Sequence, residues 1–443
     1  MTTKTYSGKW QLPNDLENVS QSFSGILRIS ENGIITLEFT LEREEHNKVI
    51  PDLEQRLNQI NNQVVIPLIV GYAKDLGTNN DIGFTLFDLE IIGYIRSGLT
   101  HVTLEAKYAS TILRFKKMEG LKFQSSMMKF EGMDEWLDKN GFEIKSHDDT
   151  KQYKTTVEFT QPKPIDVVKT DSEQLYFYFR ASSPMFANTN RVTIDQSIFV
   201  NWENEGPKSI NELVAFSERL QNFFSFISTY PARRLQHQIR LLKGKYNSKK
   251  SNGYLNLDLY YKDRASHFRD HVKKSDFLFT YSTFGDQSRE ILSNWISIYE
   301  KYTVAFDQYF DMKYNKNLHV TSRLITLTSI LEITYVKLFN KDPRNLALKL
   351  NHFIETKEVV FRSLPISKEN MVEKIVAVRK YFVHGKTSEH FHEENTSERS
   401  MFKFSIQLEN IFKVYVLSEL GITDEEITKM ITRQPWKWGI SRD

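Results

Sequence analysis

The sequence predicts an α+β protein in which a β-rich antiparallel domain precedes an all-α helical bundle. Three observations carry this prediction. Short runs of β-branched and aromatic residues, separated by turn residues, fill roughly the first 200 positions. From about residue 286 onward, apolar residues recur at spacings of three and four, which is typical of amphipathic helices. A stretch rich in basic residues lies between the two regions.

The first region is predicted to form antiparallel strands arranged as a sandwich. Residues 26–29 and 34–41 flank Asn32-Gly33, a dipeptide that favours a hairpin turn. A short helix is expected near residues 134–137. Further strand-like runs lie at 64–70, 83–94, 102–104, 155–159 and 175–179. Several short strands separated by turn residues are typical of a sandwich.

Helical signals begin near residue 207. Ser209 and Glu212 form a capping box, and the apolar stripe behind it predicts a helix that closes before Pro231. Thr423 and Glu426 form a second capping box, which opens a last short helix. Between them, apolar spacing predicts one long helix and three further helices, at 291–309, 324–338, 367–384 and 397–420. A bundle buries these stripes.

These patterns divide the chain into three predicted parts. A β-rich domain covers residues 1–206. A helix and a basic connecting region cover 207–285, and the helical domain covers 286–443.

The composition excludes several kinds of site. The chain has 443 residues, of which 40% are hydrophobic and 26% charged, so packed cores are expected. It contains no cysteine, which excludes disulfides, cysteine-based zinc sites and thiol catalysis. The N-terminal residues contain no apolar signal stretch, and the apolar run at 64–73 is too short to cross a bilayer. We therefore expect a cytoplasmic protein without a membrane segment.

Charge is concentrated in one segment. Residues 219–257, called the basic segment below, carry eight Lys and Arg residues and no Asp or Glu, whereas the total net charge is only +3. A surface that follows an RNA backbone needs such a segment. We take Arg233, Arg234, Lys249 and Lys250 as its candidate RNA-binding residues. A solvated basic loop, or one that pairs with the acidic first half, explains the same pattern.

The sharpest chemical feature is Arg379 followed five residues later by His384 and then by Gly385. On an ideal helix, five residues correspond to about 140° of rotation, so the two side chains would not share a face. Because Gly385 favours a helix end, His384 would lie at the C-terminus and could turn toward Arg379. A guanidinium stabilises charge on phosphate oxygens and an imidazole moves protons near neutral pH, so the pair suits phosphodiester chemistry. The spacing alone arises often by chance and favours a surface or capping role.

The order of motifs resembles ApeA-type anti-phage proteins and their HEPN domains. The helix with Arg379 and His384 precedes a long apolar helix that ends at Gly421, followed by an acid-capped last helix. The N-terminal sequence resembles that family in the Trp-x-Leu-Pro of residues 10–13 and the Gly-x-Leu of residues 25–27. Trp136 and the helix that closes before Pro231 are similar too. The resemblance covers most of the chain.

The resemblance implies a metal-independent endoribonuclease used in abortive anti-phage defence, in which the β-rich domain of residues 1–206 senses a trigger or holds the nuclease inactive. It assigns His384 as the general acid/base and Arg379 as the residue that binds phosphate and stabilises the transition state. The 2′-hydroxyl would attack the adjacent phosphorus and leave a 2′,3′-cyclic phosphate and a 5′-hydroxyl. No metal and no other cofactor is expected. The His-Phe-His of residues 390–392, with two following glutamates, lacks a full set of metal ligands.

Two auxiliary residues are less specific. Lys380 stands where the family often has Asn or another small polar residue; it can still hold a phosphate, but the hydrogen-bonding role is in doubt. Glu332, on the second predicted helix of the bundle, is a candidate to orient the arginine, although the sequence alone favours a solvated glutamate on a helix face. An alternative function is a non-catalytic scaffold that binds a nucleotide or a partner.

The expected partners are an RNA substrate, a phage-derived trigger and a second copy of the chain, with no membrane. The resemblance implies that two Arg-x₄-His motifs face each other in a homodimer or a higher homo-oligomer. Tyr299, Phe306 and Phe310 widen the apolar arc of the long predicted helix beyond one packing seam. Part of that arc is therefore expected to contact a second subunit, unless the β-rich domain covers it.

Overall fold

The structure is a computed structural model, and it shows a β-rich antiparallel region followed by a helical region, so the predicted α+β class is confirmed. The described residues are 3–12, 22–55, 58–60, 63–111, 123–149, 152–182, 194–241, 256–265, 269, 271–341, 343, 345–367 and 370–440. In this part of the chain, no helix is both long enough and apolar enough to cross a membrane.

The described chain divides into two compact units. The β unit comprises residues 1–131, 141–217 and 233–268, and the helical unit comprises residues 132–140, 218–232 and 269–443. The three predicted domain boundaries stay a prediction.

The strands and helices follow each other along the chain with these bounds. The strands are β1 (Lys4–Gln11), β2 (Ser22–Ile29), β3 (Ile35–Leu41), β4 (Asn58–Ile60), β5 (Gln63–Asp75), β6 (Asp81–Ser97), β7 (Leu99–Thr111), β8 (Phe123–Phe130), β9 (Phe142–Asp149), β10 (Gln152–Phe159), β11 (Ile165–Lys169), β12 (Glu173–Ser182), β13 (Asp195–Lys208), β14 (Arg234–Leu241) and β15 (Asn256–Tyr261). The helices are α1 (Arg43–Gln55), α2 (Met133–Leu137), α3 (Ile210–Ile227), α4 (Tyr281–Phe284), α5 (Gln287–Lys301), α6 (Thr303–Tyr314), α7 (Val320–Phe339), α8 (Leu346–Thr356), α9 (Glu358–Phe361), α10 (Met371–His384), α11 (Glu398–Glu419) and α12 (Asp424–Arg433).

Six strands of the β unit close into an antiparallel barrel. Their pairing runs β1–β2–β3–β7–β6–β5 and returns to β1. The interior is filled by side chains such as Trp10, Leu37 and Phe84, which are buried in one core cluster. The predicted hairpin is confirmed, since β2 and β3 flank the turn at Gly33, whose φ of 72° favours glycine.

A second antiparallel sheet adjoins this barrel and has the order β11–β12–β13–β8–β14. Strand β15 connects the two, because it pairs with β14 at Asn256–Asp258 and with β7 at Leu259–Tyr261. The predicted sandwich is therefore wrong in its arrangement, although the predicted strands are present. Strand β7 pairs with β3 along one edge and β6 along the other, so the sheet closes instead of stacking.

The helical unit confirms most of the predicted helices and their ends. Helix α7 and helix α11 match two predicted stripes, and α12 begins with the predicted capping box between Thr423 and Glu426. The single helix predicted over 291–309 is wrong, because the chain breaks at Tyr302 into α5 and α6. At the break, the Thr303 hydroxyl donates to the Tyr299 carbonyl at 2.9 Å, a local bond that accompanies the end of α5.

The wide apolar arc of α5 and α6 is filled within the helical unit. Tyr299, Phe306 and Phe310 are all buried. The amide of Asn222 donates to the Tyr299 hydroxyl at 2.7 Å, and the rings of Phe306 and Phe412 lie 6.0 Å apart. The argument that this arc is left over for a second subunit is therefore wrong, because packing inside one chain already covers it.

Candidate active site

Helix α10 places both residues of the Arg-x₄-His motif. Its apolar residues Val372, Ile375 and Val378 are buried, which fixes the rotation of the helix about its axis. The helix ends at His384, and Gly385 adopts the left-handed conformation (φ 63°) while its N–H donates to the Tyr381 carbonyl at 2.8 Å. This confirms that Gly385 ends the helix, since a left-handed residue after the last turn is the usual place for glycine.

Arg379 points toward α7, where two side chains hold its guanidinium. Its Nε donates to the Thr328 hydroxyl oxygen at 3.2 Å, and its Nη2 donates to Glu332 Oε2 at 2.9 Å. The side chain of Arg379 is 25% exposed and that of Glu332 is 28% exposed. The arginine is thus held in a fixed orientation, yet solvent still reaches it.

Thr328 and Glu332 lie on one face of α7 because they are four residues apart. Thr328 is buried, and its hydroxyl donates to the Ile325 carbonyl at 2.7 Å, so its oxygen is oriented before it accepts from Arg379. On the other side of Glu332, the ammonium of Lys349 on α8 lies 4.0 Å from Oε1. The carboxylate therefore lies between two cations.

Sequence reasoning selected Glu332 but missed Thr328 and Lys349. The spacing of Thr328 and Glu332 on one helix face was the only available signal, and it does not indicate which helix packs against that face. Lys349 is only 5% exposed. Lysines are rarely buried, and the apolar spacing of a helix does not indicate that one of its lysines is.

His384 and Lys380 differ from Arg379 in being exposed. Both side chains lie on the solvent side of α10, His384 at its last position. Next to them, the apolar residues Tyr381, Phe382 and Val383 are also exposed, at 39%, 38% and 41%. The structure thus places a fixed, half-buried arginine and an exposed histidine at the same end of one helix. Three exposed apolar residues separate them along the chain.

The candidate RNA-binding residues have different surroundings. Arg233 is 2% exposed and donates to the carbonyl of Glu31, so the expectation that it is an exposed cation is wrong. Arg234 is partly exposed, and its guanidinium lies over the ring of Tyr261. Lys249 and Lys250 lie outside the described residues. A role of this segment in RNA binding stays a prediction.

The histidines that follow α10 lie close in sequence to carboxylates, a combination that can bind a metal ion in other proteins. His390 lies 3.4 Å from a carboxylate oxygen of Glu389, its neighbour in sequence. Among the residues that the structure describes, no group of three or more His, Cys, Asp or Glu side chains is arranged to hold a metal ion.

Comparison with known families assigns both regions. A family model described as ApeA N-terminal domain 1 matches residues 5–295, which is more than half of the chain, and one described as Apea-like HEPN matches residues 292–426. The chain belongs to the ApeA family. Searches among curated proteins and among solved structures found no match.

The HEPN match includes every residue of the candidate site, from Thr328 on α7 to His384 on α10. HEPN domains are generally ribonucleases, and ApeA proteins belong to anti-phage defence, so a nuclease-type function in defence is supported for this chain.

Proposed function

We propose that this ApeA protein is a metal-independent endoribonuclease in abortive anti-phage defence, with Arg379 and His384 as its catalytic residues. The observation that carries the proposal is the fixed guanidinium of Arg379 on the helix whose exposed C-terminal residue is His384. The HEPN match provides the chemical context for that pair.

Arg379 binds the scissile phosphate in this proposal. A guanidinium has five N–H donors in a planar fork, and Thr328 and Glu332 engage Nε and Nη2. A phosphate oxygen can bind at Nη1 without breaking either contact. Because Glu332 and Thr328 hold the plane in place, little reorganisation is needed when negative charge develops on the phosphorus oxygens.

His384 transfers the protons. The 2′-hydroxyl of the RNA loses its proton and attacks the neighbouring phosphorus, while the bond from phosphorus to the 5′ oxygen breaks and that oxygen gains a proton. The products are a 2′,3′-cyclic phosphate and a 5′-hydroxyl, and no water or oxidant is consumed. An imidazole suits both transfers because its unperturbed pKa lies near neutrality.

The defining experiment is an RNA-cleavage assay on the purified protein with and without EDTA. We expect cleavage in both conditions. Arg379→Ala and His384→Ala should each lower the rate on the order of 10²–10⁴-fold, because each removes a charge stabiliser or a proton carrier. Far-ultraviolet circular dichroism should stay unchanged, since neither side chain belongs to the buried core.

Matched controls are available in the same unit. Arg362 and His271 are exposed side chains that lie outside α10, and Arg362→Ala and His271→Ala should cleave RNA like the parent protein. Full activity of Arg379→Ala or His384→Ala would show that the motif is not the catalytic site. Loss of cleavage in EDTA would contradict the metal-independent mechanism. RNA binding without any cleavage would favour the non-catalytic scaffold.

We further propose that the active form is a two-fold dimer formed near the C-terminal end of α10. The exposed Tyr381, Phe382 and Val383 beside His384 form the apolar surface that supports this proposal. A two-fold contact there would place two motifs close together, and one substitution would act twice. Light scattering should give a dimer mass, and Phe382→Glu should give monomers without cleavage activity. A fully active monomer would exclude a site shared between subunits.

A further inference from the structure

A cavity of about 410 Å³ lies inside the β unit where β14 and β15 separate. Strand β15 pairs with β14 only as far as Asp258 and then pairs with β7, so a wedge opens between the two strands. The turn between β2 and β3 closes one end of the wedge. There, Gly33 approaches the carbonyl of Tyr261 so closely that a β-carbon would collide with it. The volume lies at the low end of the roughly 300–1,000 Å³ typical of small-molecule sites.

One wall of the cavity is a fixed, planar cation. The Arg234 guanidinium carbon lies 3.3 Å from the centre of the Tyr261 ring, and its Nη2 donates to the Tyr261 carbonyl at 2.6 Å. The main-chain N–H of Arg234 donates to Asp263 Oδ2 at 2.8 Å. A guanidinium stacked on an aromatic ring offers its other face to a second planar group.

The other wall and the floor supply hydrogen-bonding groups. Gln236 and Asp258 line the cavity, together with the Tyr260 hydroxyl, to which Lys4 donates at 3.1 Å. At the floor, the two ring nitrogens of His237 contact the hydroxyls of Tyr261 and Ser126 at 2.9 Å and 2.5 Å. Burial holds the pKa of His237 well below its usual range, so this ring is uncharged at neutral pH.

The charges that line the cavity limit its ligand. Two cations, Lys4 and Arg234, face three carboxylates, those of Glu31, Asp258 and Asp263. A lining with this excess of negative charge disfavours a polyphosphate and accommodates an uncharged molecule. Asp258 already accepts from the Gln238 amide at 2.7 Å through Oδ1, so its other oxygen and the Gln236 amide are the lining groups that match a planar ring edge with both donors and acceptors.

We propose that this cavity binds an uncharged, planar nitrogen heterocycle, namely a nucleobase or nucleoside. The ring stacks on the Arg234 guanidinium, and its polar edge bonds to Gln236 and Asp258. The site lies in the β unit, and it does not depend on the ribonuclease activity proposed above.

The test is calorimetric titration of the full-length protein with adenosine, guanosine, cytidine and uridine and with their 5′-triphosphates. At least one nucleoside should bind saturably, and its triphosphate should bind at least about ten-fold more weakly because of the negative lining. Gln236→Leu, which keeps the volume but removes the amide, and Arg234→Lys, which keeps the charge but removes the plane, should each weaken binding about ten-fold or more. Gln174→Leu is the matched control, since Gln174 lies on β12 outside the cavity.

Two results would overturn the proposal. One is the failure of every nucleoside to bind more tightly than about 1 mM. The other is a nucleoside that binds equally well to the parent protein, Gln236→Leu and Arg234→Lys. If Arg234→Lys does not fold, as judged by circular dichroism, Gln236→Leu alone decides between the outcomes.

Discussion

Two carboxylates of the helical unit are each surrounded by cations, and they differ in their access to solvent. Glu409 on α11 accepts from Arg323 at 2.6 Å, from Lys413 at 3.0 Å and from the Tyr309 hydroxyl at 2.9 Å, and its side chain is 11% exposed. Glu332 on α7 accepts from Arg379 at 2.9 Å, and both of these side chains are about a quarter exposed.

The difference separates a structural ion network from a candidate functional one. Around Glu409 the attraction of the cations outweighs the cost of burial and holds the pKa of its carboxyl well below its usual range. The Glu409 carboxylate is 11% exposed, against 28% for Glu332, so a substrate reaches the Glu409 carboxylate less readily. Arg379, by contrast, is oriented by Glu332 and still open to solvent, so an incoming phosphate can share it. A charged pair at a functional site must combine fixed orientation with access, and in the pair of Arg379 and Glu332 both partners are open to solvent.

The largest expected effect is on folding, at Glu409. Glu409→Gln keeps the shape of the side chain but removes the buried carboxylate charge that Arg323 and Lys413 contact, and breaking such a pair typically costs about 3–5 kcal/mol in the free energy of unfolding. Urea denaturation followed by circular dichroism measures this loss. The matched control is Glu358→Gln, because Glu358 forms an exposed pair with Arg362, and its stability should be unchanged. If Glu409→Gln is as stable as the parent, the Glu409 network does not stabilise the fold, and the two networks do not differ in that respect.

The next effect is on activity, at Glu332. In Glu332→Gln the guanidinium of Arg379 loses its charged partner, so we expect kcat to fall on the order of 10–100-fold through misorientation, with little change in KM. The stability loss should be much smaller than at Glu409, because solvent screens both partners. Glu332→Asp, which keeps the charge, should recover part of kcat. If Glu332→Gln cleaves RNA like the parent protein, the pair is only a surface ion pair.

Local signals in the sequence predicted the ends of elements well and their packing poorly. Asn32-Gly33, Gly385 and the capping box at Thr423 each act within a few residues, and each element ends or begins where the sequence indicates. The closure of the barrel depends on which strands lie along both edges of β7, and no spacing along the chain encodes that choice. The same holds for the contact between Thr328 and Arg379, which lie 51 residues apart. Residue types suggested the candidate pair of Arg379 and His384, but only the packing of α7 on α10 shows which groups orient the arginine.

The smallest expected effect is on the pH dependence of stability, and it comes from Lys313 beside the Glu409 network. Lys313 is partly buried and donates to the Ser228 carbonyl at 3.2 Å. Burial, together with the nearby Lys413 and Arg323, lowers the pKa of Lys313 from 10.5 to about 7, although Glu409 opposes the shift. Between these two values the unfolded chain binds the proton and the folded chain does not. Stability therefore rises with pH from about 7 toward 10.

Lys313→Met tests this dependence, because it replaces the ammonium with an apolar group of similar length. Between pH 7 and 9, Lys313 should raise the free energy of unfolding of the parent protein by on the order of 1 kcal/mol per pH unit. Lys313→Met should not show this rise. At pH 6.5 the variant should be more stable than the parent, because the parent then buries a protonated lysine. Urea denaturation at pH 6.5, 7.5 and 9 measures both differences. Lys429→Met, which changes an exposed lysine of α12, should leave the pH dependence of the parent intact. A parallel pH profile for Lys313→Met and the parent would show that Lys313 keeps its proton, and the Glu409 network would then hold three cations around one buried carboxylate at neutral pH.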